Sequence, residues 1–361
     1  MKRSFHLFTA LAVLGGASTL FLNDRAAHSQ ANPQVVASYS VLCDLTEQIA
    51  QDTLDVTCLI EAGEDPHIYN ATPADRRAIE SADLILYGGY GFEPDIIQMV
   101  EATDGDTPQI AVSEVAVPEP LLGAAHDHGS HDEHGHDEHG HGAHDEHGHD
   151  EHGHDEHGHD EHGHDKHGEE DSEPDPHVWH DAENGIAMVR TIQTQLSEVF
   201  PDNADLYQAN AQSLIAQLTE LNTWIEQQVD TVPESQRVLV STHDALGYYA
   251  EAYGIRIESA LASVSTEARP SAADLRELID VVEGSNIPAI FIESTSNPGL
   301  IEAVSRETDI GISEAPLYAD SLGEAGTPAS TYTGMLMTNT CTIVSGLGGR
   351  CNEAAAQAFL D

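Results

Sequence analysis

The sequence predicts an α/β fold of two lobes, each a parallel sheet flanked by helices, joined by one long rigid helix. Three observations predict it. Short β-branched runs recur ahead of helical stretches in the first half of the chain, a long segment of helical periodicity bounded by prolines follows, and the strand and helix alternation then starts again. Strands alternating with helices imply parallel sheets covered on both faces, and 361 residues suffice for two modest domains that each bury a core.

Residues 1–31 read as an export signal, with Lys2 and Arg3 ahead of an apolar run from Phe5 to Leu22 and small residues at Ala26, Ala27, Ser29 and Ala31. An uncleaved anchor is the alternative, because the run is near the lower limit of a spanning helix. No cysteine closely follows the run, which disfavours a lipid-anchored form, and no other segment could span a bilayer. The first lobe is expected over residues 32–201, with strands at Val35–Ser40, Val56–Ile60, Ala82–Tyr87 and Gln109–Val112. Within it, residues 124–173 form a loop built on repeats of His-Gly-His-Asp-Glu, too poor in apolar residues to offset its ordering entropy and therefore expected to be disordered. Order resumes at Asp175-Pro176-His177-Val178-Trp179, and Ile186, Val189, Ile192, Leu196 and Val199 recur at helical spacing until Pro201. Leu206, Leu214, Leu218, Leu221, Ile225 and Val229 mark the linker helix, residues 202–232, which Pro233 ends. The second lobe, residues 233–361, should hold strands at Arg237–Ser241, Arg256–Ser259 and Ala289–Glu293 and helices near Ala272–Val282 and Pro298–Arg306.

The formal charge is -50, with Lys2 and Lys166 the only lysines. Such a surface repels nucleic acid and anionic lipid, so neither is a partner. Four cysteines in an exported chain favour disulfides over thiol chemistry. Short separations favour Cys43 with Cys58 and Cys341 with Cys351, although four cysteines permit three pairings; neither pair has the CxxC spacing of a redox or zinc-thiolate site.

Outside the signal and the repeat tract, three histidines lie close after expected strands: His67, His177 and His243. Open α/β sheets place ligands beyond the carboxyl ends of their strands. His67 closes Gly63-Glu64-Asp65-Pro66-His67, and His177 repeats the Asp-Pro-His string, where proline holds the preceding Asp extended. His243 follows the strand at Arg237–Ser241. Three neutral imidazoles suit zinc, and a carboxylate could complete a tetrahedron.

With these motifs the chain resembles the zinc and manganese solute-binding proteins of bacterial ABC importers, the cluster A-I family, over nearly all of its mature length. The resemblance is carried by Gly-Glu-Asp-Pro-His67 with Thr72-Pro73-Ala74-Asp75, by Leu86-Tyr87-Gly88-Gly89 with Phe92-Glu93, and by Asp-Pro-His177-Val-Trp. In the second half it is carried by Ser241-Thr242-His243-Asp244-Ala245-Leu246-Gly247-Tyr248, by Glu293-Ser294-Thr295 and by Leu317-Tyr318-Ala319-Asp320-Ser321-Leu322. It implies metal ligands at His67, His177, His243 and Asp320, two from each lobe, in the cleft between them. Members specialised for manganese commonly carry Glu where this chain has His243, so the ligand set points to Zn2+; a carboxylate such as Asp320 is shared with manganese binders, which keeps Mn2+ as the alternative cargo. His180 departs from the usual apolar residue after the tryptophan; it could be a partner standing behind a metal ligand, but the surface is the expected place for it.

The resemblance implies a periplasmic or otherwise extracytoplasmic monomer that delivers its ion to the membrane permease of an ABC importer and is not an enzyme. The tract adds auxiliary metal-binding candidates at His126, His128, His131, His134, His136, His139, His141, His144, His147, His149, His152, His154, His157, His159, His162, His164 and His167. These could gather or sense zinc, or the tract could be a solvated spacer. Two rivals remain from the residues alone. A zinc hydrolase would use Asp320 or Glu293 as general base, but no HExxH, HxxEH or GxSxG motif occurs. An extracellular zinc buffer would rely on the tract.

Overall fold

Val35, Val36, Ala37, Ser38 and Tyr39 follow one another in β1 (Gln34–Tyr39) and are all buried, the signature of a strand covered on both faces. β1 lies between β2 (Asp55–Ile60) and β3 (Leu84–Tyr87), with β4 (Gln109–Ala111) outside β3, and every pairing in the sheet is parallel. The helices α1 (Ser40–Ala50), α2 (Pro73–Ser81), α3 (Pro94–Glu101) and α4 (Val112–Ala116) accompany these strands. This computed structural model describes residues 32–124, 172–261, 263–267 and 271–356. The export signal and the histidine tract, including all its candidate ligands, lie outside the described residues.

The ends of the 124–173 loop differ from expectation. β5 (Leu122–Ala124) and β6 (Ser172–Pro174) form an antiparallel pair, with Leu122 opposite Pro174 and Ala124 opposite Ser172. Tyr248 secures the base of this stem: its hydroxyl accepts from Leu121 N at 2.9 Å and donates to the Asp175 carbonyl at 3.2 Å.

Two helices follow, α5 (Ala182–Val199) and α6 (Ala204–Val229). Along α6, Tyr207, Ala211, Leu214, Leu218, Leu221, Ile225 and Val229 are buried at spacings of three and four, one helical face. Its 26 residues give a rod of ~39 Å. Near its start Asn210 Nδ2 donates to the Ile49 carbonyl at 2.8 Å, and towards its end Tyr253 Oη donates to Asn222 Oδ1 at 2.8 Å while Gln228 Oε1 accepts from Asn352 N at 2.9 Å. One helix therefore touches elements of both halves of the sequence.

In the second half β7 (Val238–His243) pairs in parallel with β8 (Arg256–Leu261), across α7 (Gly247–Tyr253). After α8 (Ala272–Gly284), β9 (Ala289–Ile290) and β10 (Gly311–Ile312) form a second parallel pair around α9 (Gly299–Thr308), and α10 (Tyr332–Gly346) follows. Phe291 N donates to the Val240 carbonyl at 2.9 Å. That bond joins the two pairs in the order β8, β7, β9, β10, which repeats the β2, β1, β3, β4 order of the first sheet. The strand expected at Ala289–Glu293 is regular over only two residues, although pairing continues irregularly to an isolated bridge of Glu293 with Leu317; the Glu293 carboxylate accepts from Thr242 N and His243 N.

The larger apolar cluster contains the first sheet, α5 and α6 and continues through Leu239, Phe291, Leu336 and Ile343, whereas a smaller one gathers Val240, Leu278, Ile290, Ile301 and Val304 around α8 and α9. Disulfides join Cys43 to Cys58 and Cys341 to Cys351, with Cα separations of 5.6 and 5.1 Å. Among the described residues no helix is long and apolar enough to cross a membrane.

Candidate metal centre

Each histidine of the site is held by a carboxylate, at the backbone of His67 and at the ring Nδ1 of His177 and His243. Asp65 is extended ahead of Pro66, and its Oδ1 accepts from His67 N at 3.0 Å. Asp175 repeats the device: Oδ1 accepts from His177 N at 2.9 Å and meets His177 Nδ1 at 2.8 Å. A carboxylate accepts, so Nδ1 carries the proton and Nε2 turns its lone pair inward. His243, the last residue of β7, is set from a different element: Glu293 Oε2 lies 2.6 Å from His243 Nδ1, again leaving Nε2 as the free donor atom.

The three imidazoles converge on one oxygen. Asp320 Oδ1 is 3.2 Å from His177 Nε2, 3.2 Å from His243 Nε2 and 3.6 Å from His67 Nε2, and the two nitrogens of His67 and His177 are 3.2 Å apart. All four ligand atoms lie within 4.8 Å of one another and all four residues are buried. These separations bracket the edge of a tetrahedron with metal bonds of 2.0–2.1 Å, about 3.4 Å. His243 Nε2 and Asp320 Oδ1 are close yet make no hydrogen bond, as expected of two donors aimed at a common third point. Asp320 Oδ2 accepts from Thr295 Oγ1 at 2.8 Å, so the carboxylate presents a single oxygen to the centre.

Phe92 packs edge-on against His67 and His177 with ring centroids 5.0 and 5.5 Å away, and Trp179 packs behind Phe92 at 4.7 Å. In this dry setting burial pushes the His67 pKa down to about 4, against the pull of Asp320. Burial also opposes charge on the other two rings, but Asp175 and Asp320 outweigh it at His177, and Glu293 and Asp320 outweigh it at His243, so both are raised. For Asp320, burial disfavours charge, yet His243 foremost and the other two rings hold its carboxyl well below the usual range. The cluster keeps an ionised carboxylate among imidazoles that shed protons when a cation takes their place. A cavity of about 430 Å³ adjoins the centre, bounded by His67, Tyr90, Pro94, Glu173, Pro176 and Glu267; of the four converging residues it touches only His67. A larger one, about 900 Å³, lies between β10 and α10 and touches none of them.

His180 corrects an expectation. It is fully buried, in the single turn Val178–His180, and its Nε2 lies 2.8 Å from the Ala319 carbonyl. A base rate for exposed histidine missed it because its partner is far along the chain. Asp65, Asp175 and Thr295 also support the site from within motifs already noted; for the first two the available signal was an aspartate two residues before His67 and His177.

Comparison with known proteins places the chain in a family. The family described as the periplasmic zinc-uptake complex component A matches residues 35–346. The manganese-binding lipoprotein MntA of Halalkalibacterium halodurans is 30% identical over 314 residues, covering 87% of this chain and 88% of the relative. The zinc-binding protein TroA of Treponema pallidum is 29% identical over 342 residues, covering 94% and 96%. Among solved structures, the periplasmic zinc-binding protein TroA from Treponema pallidum superposes with a TM-score of 0.72 at 28% identity, covering 89% of this chain and 100% of that one. The manganese-bound periplasmic metal-binding protein from Candidatus Liberibacter asiaticus gives 0.68 at 26% identity, covering 88% and 100%.

Proposed function

Because the chain belongs to the family of periplasmic zinc-uptake complex A components, we propose that it is an extracytoplasmic carrier that binds one Zn2+ at His67, His177, His243 and Asp320 and delivers it to the membrane permease of an ABC importer. The observation that carries this reading is the convergence of three inward-facing imidazole nitrogens and one carboxylate oxygen at tetrahedral-edge spacings in a buried centre. Four protein ligands leave no open position for an activated water, which favours carriage over hydrolysis. Glu293, the other candidate base, already accepts from Thr242 N, His243 N, His243 Nδ1 and Ser296 Oγ.

Zinc over manganese rests on donor chemistry. Manganese favours six oxygen-rich ligands, whereas this centre offers three nitrogens and, with Oδ2 engaged by Thr295, one oxygen. Manganese is the second reading, favoured by relatives named as manganese-binding. The tract His126–His167 gathers zinc near the site, in a monomer whose lobes are bridged by α6. Titration of the mature protein lacking residues 126–167 with Zn2+ and Mn2+, beside the same protein carrying His243→Ala, tests the reading. One tight zinc site that the substitution strongly weakens, with poorer manganese binding, is expected. Equal or better manganese binding would change the cargo, and no tight site would leave the tract as the functional element.

A further inference from the structure

The segment that carries Asp320 is held from both sides by residues far from it in sequence. Downstream, Ser321 Oγ accepts from Gly63 N at 2.7 Å and lies 3.3 Å from Ser40 Oγ, which itself accepts from Leu322 N at 3.0 Å. Upstream, the contact is His180 to the Ala319 carbonyl, 2.8 Å. A carbonyl can only accept, so His180 Nε2 carries the ring proton and the ring is the Nε2–H tautomer. The opposite nitrogen, Nδ1, is buried with no hydrogen-bond partner. An apolar side chain would fill the same space without burying that lone pair, so the imidazole is explained by its donor atom and not by its volume.

The turn holding the ring is fixed in its own right. Tyr332 Oη donates to the Trp179 carbonyl at 2.6 Å, and Trp179 is wedged against Phe92 and Tyr39. The bond to Ala319 therefore fixes, from a rigid base, the peptide that immediately precedes the ligand Asp320. We propose that His180 is a positioning residue for the metal centre: by gripping the Ala319 carbonyl it sets the direction of the Asp320 carboxylate, and so the closeness of the fourth ligand to His67, His177 and His243. This rests on the carrier reading above. Partners that orient a ligand typically account for about 10–100-fold in metal affinity, although His180 touches no metal itself.

The test compares the wild-type protein with His180→Leu, which fills the space without a donor, and His180→Gln, whose amide can reach the same carbonyl. Zinc affinity is read by chelator competition, and the geometry of the centre by the visible absorption of Co2+ bound in its place. The expected result is zinc binding weakened at least about tenfold in His180→Leu, with altered Co2+ bands, and both restored towards wild type in His180→Gln. If His180→Leu does not fold, His180→Asn, too short to reach the carbonyl, takes its place against His180→Gln. Unchanged affinity and Co2+ spectrum in the donor-less variant, or equal impairment in the glutamine variant, would overturn the inference while wild-type binding kept the carrier reading intact. A wild-type protein that held neither ion would overturn both.

Discussion

At the scale of single residues, the Thr295 hydroxyl holds one oxygen of Asp320. By donating to Asp320 Oδ2 it leaves Oδ1 alone facing the imidazoles, and a one-oxygen carboxylate suits four-coordinate zinc better than a metal that seeks more oxygens. On the zinc reading, Thr295→Val frees Oδ2 and should narrow the preference for zinc over manganese by about tenfold, read from parallel titrations; an unchanged ratio would assign the hydroxyl to structure alone. Glu93 offers a second prediction. It is fully buried, accepts from Ser38 Oγ and Gly88 N, and burial raises its pKa from 4.5 to about 7. The folded protein then holds this proton to higher pH than the unfolded chain does. The contribution is full below 4.5 and lost as pH rises through about 7, a difference of about 3 kcal/mol. Glu93→Gln cannot ionise, so relative to wild type it should gain about that much stability between about pH 5 and about pH 8 in urea unfolding; parallel profiles would refute it. At this scale the sequence was readable where local chemistry repeats. Asp-Pro-His announced His67 and His177 because the aspartate acts two residues away, whereas Asp320 was reached only through resemblance and the burial of His180 depends on a carbonyl at residue 319.

At the scale of elements, legibility followed length and periodicity. The apolar spacing of α5 and α6 marked both helices, and the prolines at 201 and 233 bound them closely. β10, two residues long, has no period to detect, and β5 and β6 are three residues each with partners on opposite sides of a long insertion. Helix α2 illustrates a boundary written in full. Thr72 accepts from Ala74 N and Asp75 N, Asp75 Oδ2 accepts from Thr72 N, and Pro73 occupies the first turn. Thr72→Ala should cost about 1 kcal/mol in chemical denaturation. A loss indistinguishable from zero would show that the Asp75 half of the box suffices.

At the scale of the whole molecule, the fold brings three histidines from separate stretches against one oxygen of a fourth residue, Asp320, and α6, packed along its length, makes wide hinging between the sequence halves costly. Scattering curves of the metal-free and zinc-loaded protein should nearly superpose, the small change being confined to the His67 side, where the adjoining cavity meets the centre. A compaction typical of wide domain closure would contradict this. The alternation of strands and helices in both halves was legible, but the strand order they share was not; the convergence of their strand ends at one centre was expected from the resemblance, because contacts between distant segments leave no local periodicity. That convergence also bears on when the ion can be taken up. With donor residues at 67, 177, 243 and 320, a chain still emerging from the ribosome, or threaded unfolded through a membrane channel, lacks the centre altogether until almost all of it is made and folded. On the carrier reading proposed above, loading is then tied to the compartment in which folding finishes, and an exported chain would take its cargo there and not at the place of its synthesis.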